Sequence, residues 1–108
     1  MAFSKTPFTM EGKYTPSKVF NTGEKVYFAV YNPKGFKTRL LKVQIIKKES
    51  EKSEFFGHEY FYNKTVELKS KNYYTDYITF NNVGFYIFQI FEYTDLNEPS
   101  ILGIIKVE

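Results

Sequence analysis

The chain predicts an all-β domain, an antiparallel β-sandwich of about seven strands, and three observations carry that prediction. Runs rich in aromatic and β-branched residues recur at a spacing of roughly 8 to 15 residues, with no long helical period between them. Gly, Pro and Asn punctuate the joins, as in Asn32-Pro33-Lys34-Gly35 and Asn81-Asn82-Val83-Gly84. With 10 Tyr, 12 Phe, no Cys and no Trp, the core has to be aromatic and aliphatic rather than pinned by disulfides. A chain of 108 residues reads as one domain, residues 1–108. It buries roughly two-thirds of its unfolded surface, enough for one core without staples.

Taken in order, the first strand is expected somewhere in Phe3 to Met10, and Glu11 to Thr22 is expected to wrap an edge with Val19 and Phe20 docking back. From Glu24 the run EKVYFAVY sets Val26, Phe28 and Val30 against Lys25, Tyr27 and Ala29, the alternation of a half-buried strand. Asn32-Pro33-Lys34-Gly35 then puts Pro at the second turn position and Gly at its close, so the chain reverses there. Phe36 to Lys48 follows, with Leu41, Val43 and Ile45 on one face; Leu40 and Ile46 break the alternation, which predicts a bulge or a strand covered on both sides. Glu49 to Glu54 is charge-rich with no apolar stripe and reads as a solvated loop. His58 to Lys69, Thr75 to Phe80, Gly84 to Tyr93 and Ile101 to Val107 complete the set, with Ser70-Lys71-Asn72 as a further turn.

The pattern Phe80-x-x-x-Gly84-x-Tyr86-x-Phe88-x-Ile90 resembles the E-to-F corner of immunoglobulin-like and fibronectin-type-III-like domains. There a Gly precedes a strand that carries a Tyr near its start, because Gly allows a backbone turn that a side chain would obstruct. The Cys-Trp-Cys pattern of antibody domains is absent. The resemblance implies that Asn32 to Gly35, Ser70 to Tyr74 and Thr94 to Ser100 lie at one end of the sandwich. That end is the expected binding surface, made by Asn32, Pro33, Lys34, Gly35, Tyr73, Tyr74, Leu96 and Pro99. Asn32-Pro33-Lys34-Gly35-Phe36 is also similar to the first loop of chagasin-type inhibitors of papain-like cysteine proteases, though one residue shorter. The Gly-rich loop and the Arg-Pro-Trp loop of those inhibitors have no counterpart in Ser70 to Tyr74 or Thr94 to Ser100.

The same residues weigh against catalysis. The one imidazole, His58, alternates with Tyr60 and Tyr62, which reads as a half-buried strand face and, alternatively, as a stacking platform for a sugar ring. No Gly-x-Ser-x-Gly elbow or Gly-x-Gly phosphate loop occurs. Asp95, Asn97 and Glu98 read as a polar hairpin loop rather than a Ca²⁺ site, so neither a metal nor another cofactor is expected. The 15 Lys and Arg are spread from Lys5 to Lys106 for a net charge of +3, which serves solubility and is no nucleic-acid footprint. The longest apolar run, FYIFQIF, falls far short of the ~20 residues a membrane helix needs.

Met1-Ala2 followed by Ser4-Lys5-Thr6 lacks the apolar core of a secretion signal, so such a signal is either absent or removed. ILGIIKVE at the end is what a domain cut from a longer chain would look like. The expectation is therefore a non-catalytic binding or structural module, extracytoplasmic or at the cell surface. It would meet a protein partner through the loop end or through an edge strand such as Ile101 to Val107. A carbohydrate-binding module and a chagasin-like inhibitor are the alternatives.

Overall fold

The computed structural model describes residues 1–9, 11–48 and 58–108, and for residues 58–61 it describes the backbone alone. The expected Glu49 to Glu54 loop lies outside the described residues. All regular structure among them is β: β1 (Ala2–Ser4), β2 (Val19–Phe20), β3 (Lys25–Tyr31), β4 (Leu40–Lys48), β5 (His58–Glu67), β6 (Tyr73–Thr79), β7 (Gly84–Glu92) and β8 (Ile101–Val107). They form a three-stranded sheet ordered β1-β3-β6 and a five-stranded sheet ordered β2-β8-β7-β4-β5. Every pairing is antiparallel except that of β2 with β8, which is parallel.

The inward faces are those the alternation predicts. Val26, Phe28 and Val30 of β3, Leu41, Val43 and Ile45 of β4, and Tyr86, Phe88 and Ile90 of β7 are buried together with Phe20, Phe80, Ile105 and Val107. Phe88 of the large sheet meets Phe3 and Phe28 of the small one, with ring centroids 5.0 and 5.2 Å away and rings edge to face, so an aromatic cluster joins the layers. Edge-to-face contact sets the positive rim of one ring against the negative face of the next, which favours this geometry over a stacked sandwich. Phe80 lies over Tyr86 at 4.1 Å and closes the core at the β6–β7 end.

The strands differ from the sequence expectation in number and in several of their ends, the larger differences for identifiable reasons. The first strand, expected somewhere in Phe3 to Met10, is Ala2–Ser4: it starts one residue earlier and ends at Ser4. The buried Ser4 hydroxyl accepts the backbone N–H groups of Thr6 and Thr15 at 3.1 and 3.0 Å and turns the chain away. There are eight described strands instead of about seven, because Val19 and Phe20 do more than dock: they pair with Lys106 and Val107. Phe36 to Arg39 is loop, since the Phe36 N–H donates to the Lys71 carbonyl and its ring is buried. β6 begins at Tyr73 rather than Thr75, because β3 offers pairing along its whole length, from Lys25↔Thr79 to Tyr31↔Tyr73. The predicted bulge is present as a register shift between Ile45 and Ile46, whose partners Tyr62 and Tyr60 leave Phe61 unpaired on β5.

Two glycines do specific work. Gly84 has φ +152°, and a Cβ there would lie 3.0 Å from the Lys47 side chain, so the turn into β7 needs the missing side chain. Two residues on, the Tyr86 hydroxyl, fully buried, donates to the Asn82 carbonyl at 2.8 Å and ties that turn to the core. Gly103 of β8 leaves room for Phe3: a Cβ would sit 2.7 Å from its ring.

Candidate functional site

Strand register brings three connections to one end. β3 leaves its sheet at Tyr31 opposite the entry of β6 at Tyr73, while β4 enters at Leu40 and Leu41 opposite the exits of β5 at Glu67 and β7 at Glu92. The connecting segments 32–39, 68–72 and 93–100 therefore converge. In the first, the Gly35 N–H donates to the Asn32 carbonyl at 2.9 Å and the Lys34 N–H to Asn32 Oδ1 at 3.0 Å, the Pro-Gly turn expected there. Asn72 of the second clamps it: Asn72 Nδ2 donates to the carbonyls of Asn32 and Pro33 at 3.0 and 3.1 Å, and the Asn72 carbonyl accepts the Asn32 N–H. The third is tied in through Glu92, whose buried carboxylate accepts the Lys37 N–H at 2.6 Å and the Ser100 hydroxyl at 3.1 Å. Side-chain to main-chain bonds of this kind cross-link loops without regular structure and hold their tips in one arrangement.

Of the expected binding residues, Asn32, Pro33, Lys34 and Gly35 form this turn, with Lys34 exposed. Leu96 is 46 % exposed on the third loop and Pro99 is half-buried near it. Tyr73 and Tyr74 are not loop residues: both belong to β6 and face opposite ways. Tyr73 stands on the outer face of the small sheet, whereas Tyr74 packs against the core and donates its hydroxyl to Asp76 Oδ2 at 2.8 Å. Burial first, and that carboxylate second, push the Tyr74 phenol well above its ordinary value.

Two concavities open beside the loops. A cleft of about 410 Å³ lies between residues 36–39 and 67–71, bracketed by backbone bonds from Phe36 N–H to Lys71 O and from Leu68 N–H to Arg39 O, both 2.7 Å. Lys37, Arg39, Lys69 and Lys71 line it, with Glu67 the one acid in the wall. A groove of about 580 Å³ continues from it between Lys64–Glu67 of β5 and Tyr73–Asp76 of β6, sharing Glu67, Lys69 and Ser70. Lys64 and Asp76 face each other across it at 4.0 Å. Both flanking strands are sheet edges, β5 pairing only with β4 and β6 only with β3 among the described residues. β8, expected as an edge, pairs with β7 along its whole length and on its other side with β2 at Lys106 and Val107, so among the described residues it is an edge from Ile101 to Ile105.

A second surface escaped the sequence reading. Tyr27↔Tyr77 and Tyr31↔Tyr73 are directly opposed pairs on the outer face of the small sheet, separated by Ala29↔Thr75. The two pairs stand roughly 13–14 Å apart along the strands. Tyr31 is 63 % and Tyr77 51 % exposed. Tyr27 and Tyr77 hold their rings 5.6 Å apart, and Lys25 Nζ lies 4.9 Å over Tyr77. The period of two in KVYFAVY and YYTDYIT was the signal, but it identifies a platform only once the strands are known to be neighbours. In the stripe expected at His58, Tyr60 and Tyr62, the first two side chains lie outside the described residues. Tyr62 packs against the core, and the bulge interrupts the alternation on which that stripe depends.

The expected polar hairpin at Asp95, Asn97 and Glu98 is closed by Asp95 Oδ1, which accepts the Asn97 N–H at 3.0 Å. No group of three or more His, Cys, Asp or Glu able to hold a metal converges among the described residues. No helix there is long and apolar enough to cross a membrane.

No family model, no curated protein and no solved structure matches this chain.

Proposed function

We propose that the chain is an immunoglobulin-like β-sandwich working as a non-catalytic binding module that meets a protein partner with its loop end, in a cell-envelope or extracellular setting. The sheet orders β1-β3-β6 and β2-β8-β7-β4-β5 correspond to the A-B-E and A′-G-F-C-C′ layers of such sandwiches, and the bond from Tyr86 to Asn82 to their tyrosine corner. The single observation that carries the functional reading is the cross-linking of the three loops by Asn72 and Glu92. A tip held in one arrangement loses little conformational freedom on binding, which is how rigid loops convert contact area into affinity.

Site-specific photo-crosslinkers at Lys34 and Leu96, compared with one at Val83 in the turn at the far end, test this in the source cell. The expected result is one partner captured from both tip positions and not from Val83. Equal capture from both ends, or capture from Val83 alone, defeats the reading.

A second reading, carbohydrate binding, is favoured by the tyrosine pairs of the small sheet. Flat, half-exposed rings flanked by Thr75 and Thr79 offer stacking surface and hydroxyls on one plane, the chemistry that suits a sugar ring. Binding to any glycan on an array should then vanish in Tyr31→Ala/Tyr77→Ala. Retention of that binding removes the tyrosine face from consideration.

A further inference from the structure

We infer that the cleft between residues 36–39 and 67–71 receives an acidic stretch of a partner polypeptide whose chain continues, extended, along the groove between β5 and β6. The inference rests on the loop-end reading and names the chemistry of its partner. Lys37, Arg39, Lys69 and Lys71 converge on one cleft, and among the described residues none of the four makes an ion pair. Four like charges brought together repel one another, and an anion seated between them turns that repulsion into attraction. The cleft walls are tied by the Phe36–Lys71 and Leu68–Arg39 backbone bonds, so the cations are presented by a frame that does not have to form on binding.

The groove distinguishes a polypeptide from other polyanions. Among the described residues its walls are edges of two sheets, where main-chain N–H and C=O groups have no further strand beside them and can pair with one. Its lining includes Val66, which is buried, and the half-buried Tyr74, suited to apolar side chains on alternate positions of an extended peptide. A sulfated glycan or a nucleic-acid backbone would use the cations and leave both features idle. Charge is graded along the path: four cations against Glu67 at the loop end, then the mutually neutralised Lys64–Asp76 pair. That gradient seats the acidic stretch in the cleft and the neutral continuation in the groove. Asp76, an inward-facing charge on an edge strand, also discourages indiscriminate strand addition.

Calorimetric titration of the intact protein with a synthetic peptide, a run of Glu and Asp followed by alternating Val and Thr, tests the assignment. The comparisons are the same peptide with Gln and Asn in place of the acids, and a heparin oligosaccharide. Binding of the acidic peptide is expected to weaken tenfold or more in Arg39→Gln/Lys69→Gln, and to be unchanged in Lys13→Gln/Lys18→Gln. The neutral peptide should bind at least tenfold more weakly than the acidic one. No binding of the acidic peptide, or equal binding by both double variants, overturns the proposal. Tighter binding of the oligosaccharide, with the same loss in Arg39→Gln/Lys69→Gln, overturns the peptide assignment in favour of a polyanion. Partner capture from Lys34 that persists in Arg39→Gln/Lys69→Gln leaves the loop-end reading standing while the cleft falls; absence of capture from Lys34 removes the reading itself.

Discussion

Single side chains decide where this chain turns and how it responds to pH. Tyr86 is fully buried, and its hydroxyl is satisfied by the Asn82 carbonyl. Tyr86→Phe keeps the ring but removes the donor, and should cost about 1–2 kcal/mol, read as a lowered urea midpoint at unchanged m-value. An unaltered midpoint would mean that the corner is held by packing alone. Tyr74 bears on alkaline stability. Because folding raises its pKa, the native state holds that proton more tightly than the unfolded chain does. The resulting stabilisation is complete below the ordinary phenol value of about 10 and is lost as pH climbs through and beyond it. The wild type should therefore lose more stability between about pH 9 and about pH 11 than Tyr74→Phe. Parallel losses in the two proteins would show that the native state does not hold the Tyr74 proton more tightly than the unfolded chain. Asp76 keeps the Tyr77 N–H and Lys64 as partners in that variant, so the substitution does not orphan its carboxylate. Gly84 was legible as a turn residue from the Asn-Asn-Val-Gly composition, and Tyr86 as its partner through the resemblance to the immunoglobulin-like E-to-F corner. The role of Gly103 was not legible, since the ring it accommodates is 100 positions away at Phe3.

Between elements, the contact of β1 with β8 across the layers depends on that absent side chain. Gly103→Val would drive a branched side chain into Phe3, which also packs edge to face on Phe88. Overpacking of this kind costs about 1–3 kcal/mol, and a companion Phe3→Leu should recover part of it. A thermodynamic double-mutant cycle measures the coupling, and strict additivity would show that the two residues do not compete for space. The strands themselves were largely legible. KVYFAVY, LLKVQII and GFYIFQI carry a period of two in Val26, Phe28 and Val30, in Leu41, Val43 and Ile45 and in Tyr86, Phe88 and Ile90, and those residues are found in the core. Their ends were less so. β2 is two residues long and exists as a strand only because β8 is beside it, and β6 gains Tyr73 and Tyr74 because β3 extends that far. Neither fact is local, because a short or terminal pairing is stabilised by its neighbour rather than by its own propensity.

For the molecule as a whole, the order of strands predicts a gradient of protection. β4 and β7 are flanked on both sides in the five-stranded sheet, whereas β5 and β6 are edges. Amide exchange in β4 and β7 should track global unfolding, and β6 should exchange through smaller openings. Uniform protection across both sheets would mean that the edge groove is not the open feature described above. The candidate site was half legible. Asn32 to Gly35 announced a turn by composition, and the resemblance to immunoglobulin-like domains implied the common end to which strand register brings the three loops. Lys37, Arg39, Lys69 and Lys71 read in the chain as scattered cations of a net charge of +3, and only folding gathers them. By itself the sequence determined the β class, the inward residues of β3, β4 and β7 and the turn at Gly84, since alternation and backbone sterics act within a few residues. Tertiary structure alone decided which edges stay open, that tyrosines on β3 and β6 stand opposite one another, and that four cations share one cleft. Each of these depends on pairing between segments distant in the chain, and the energy of that pairing is carried by no residue in isolation.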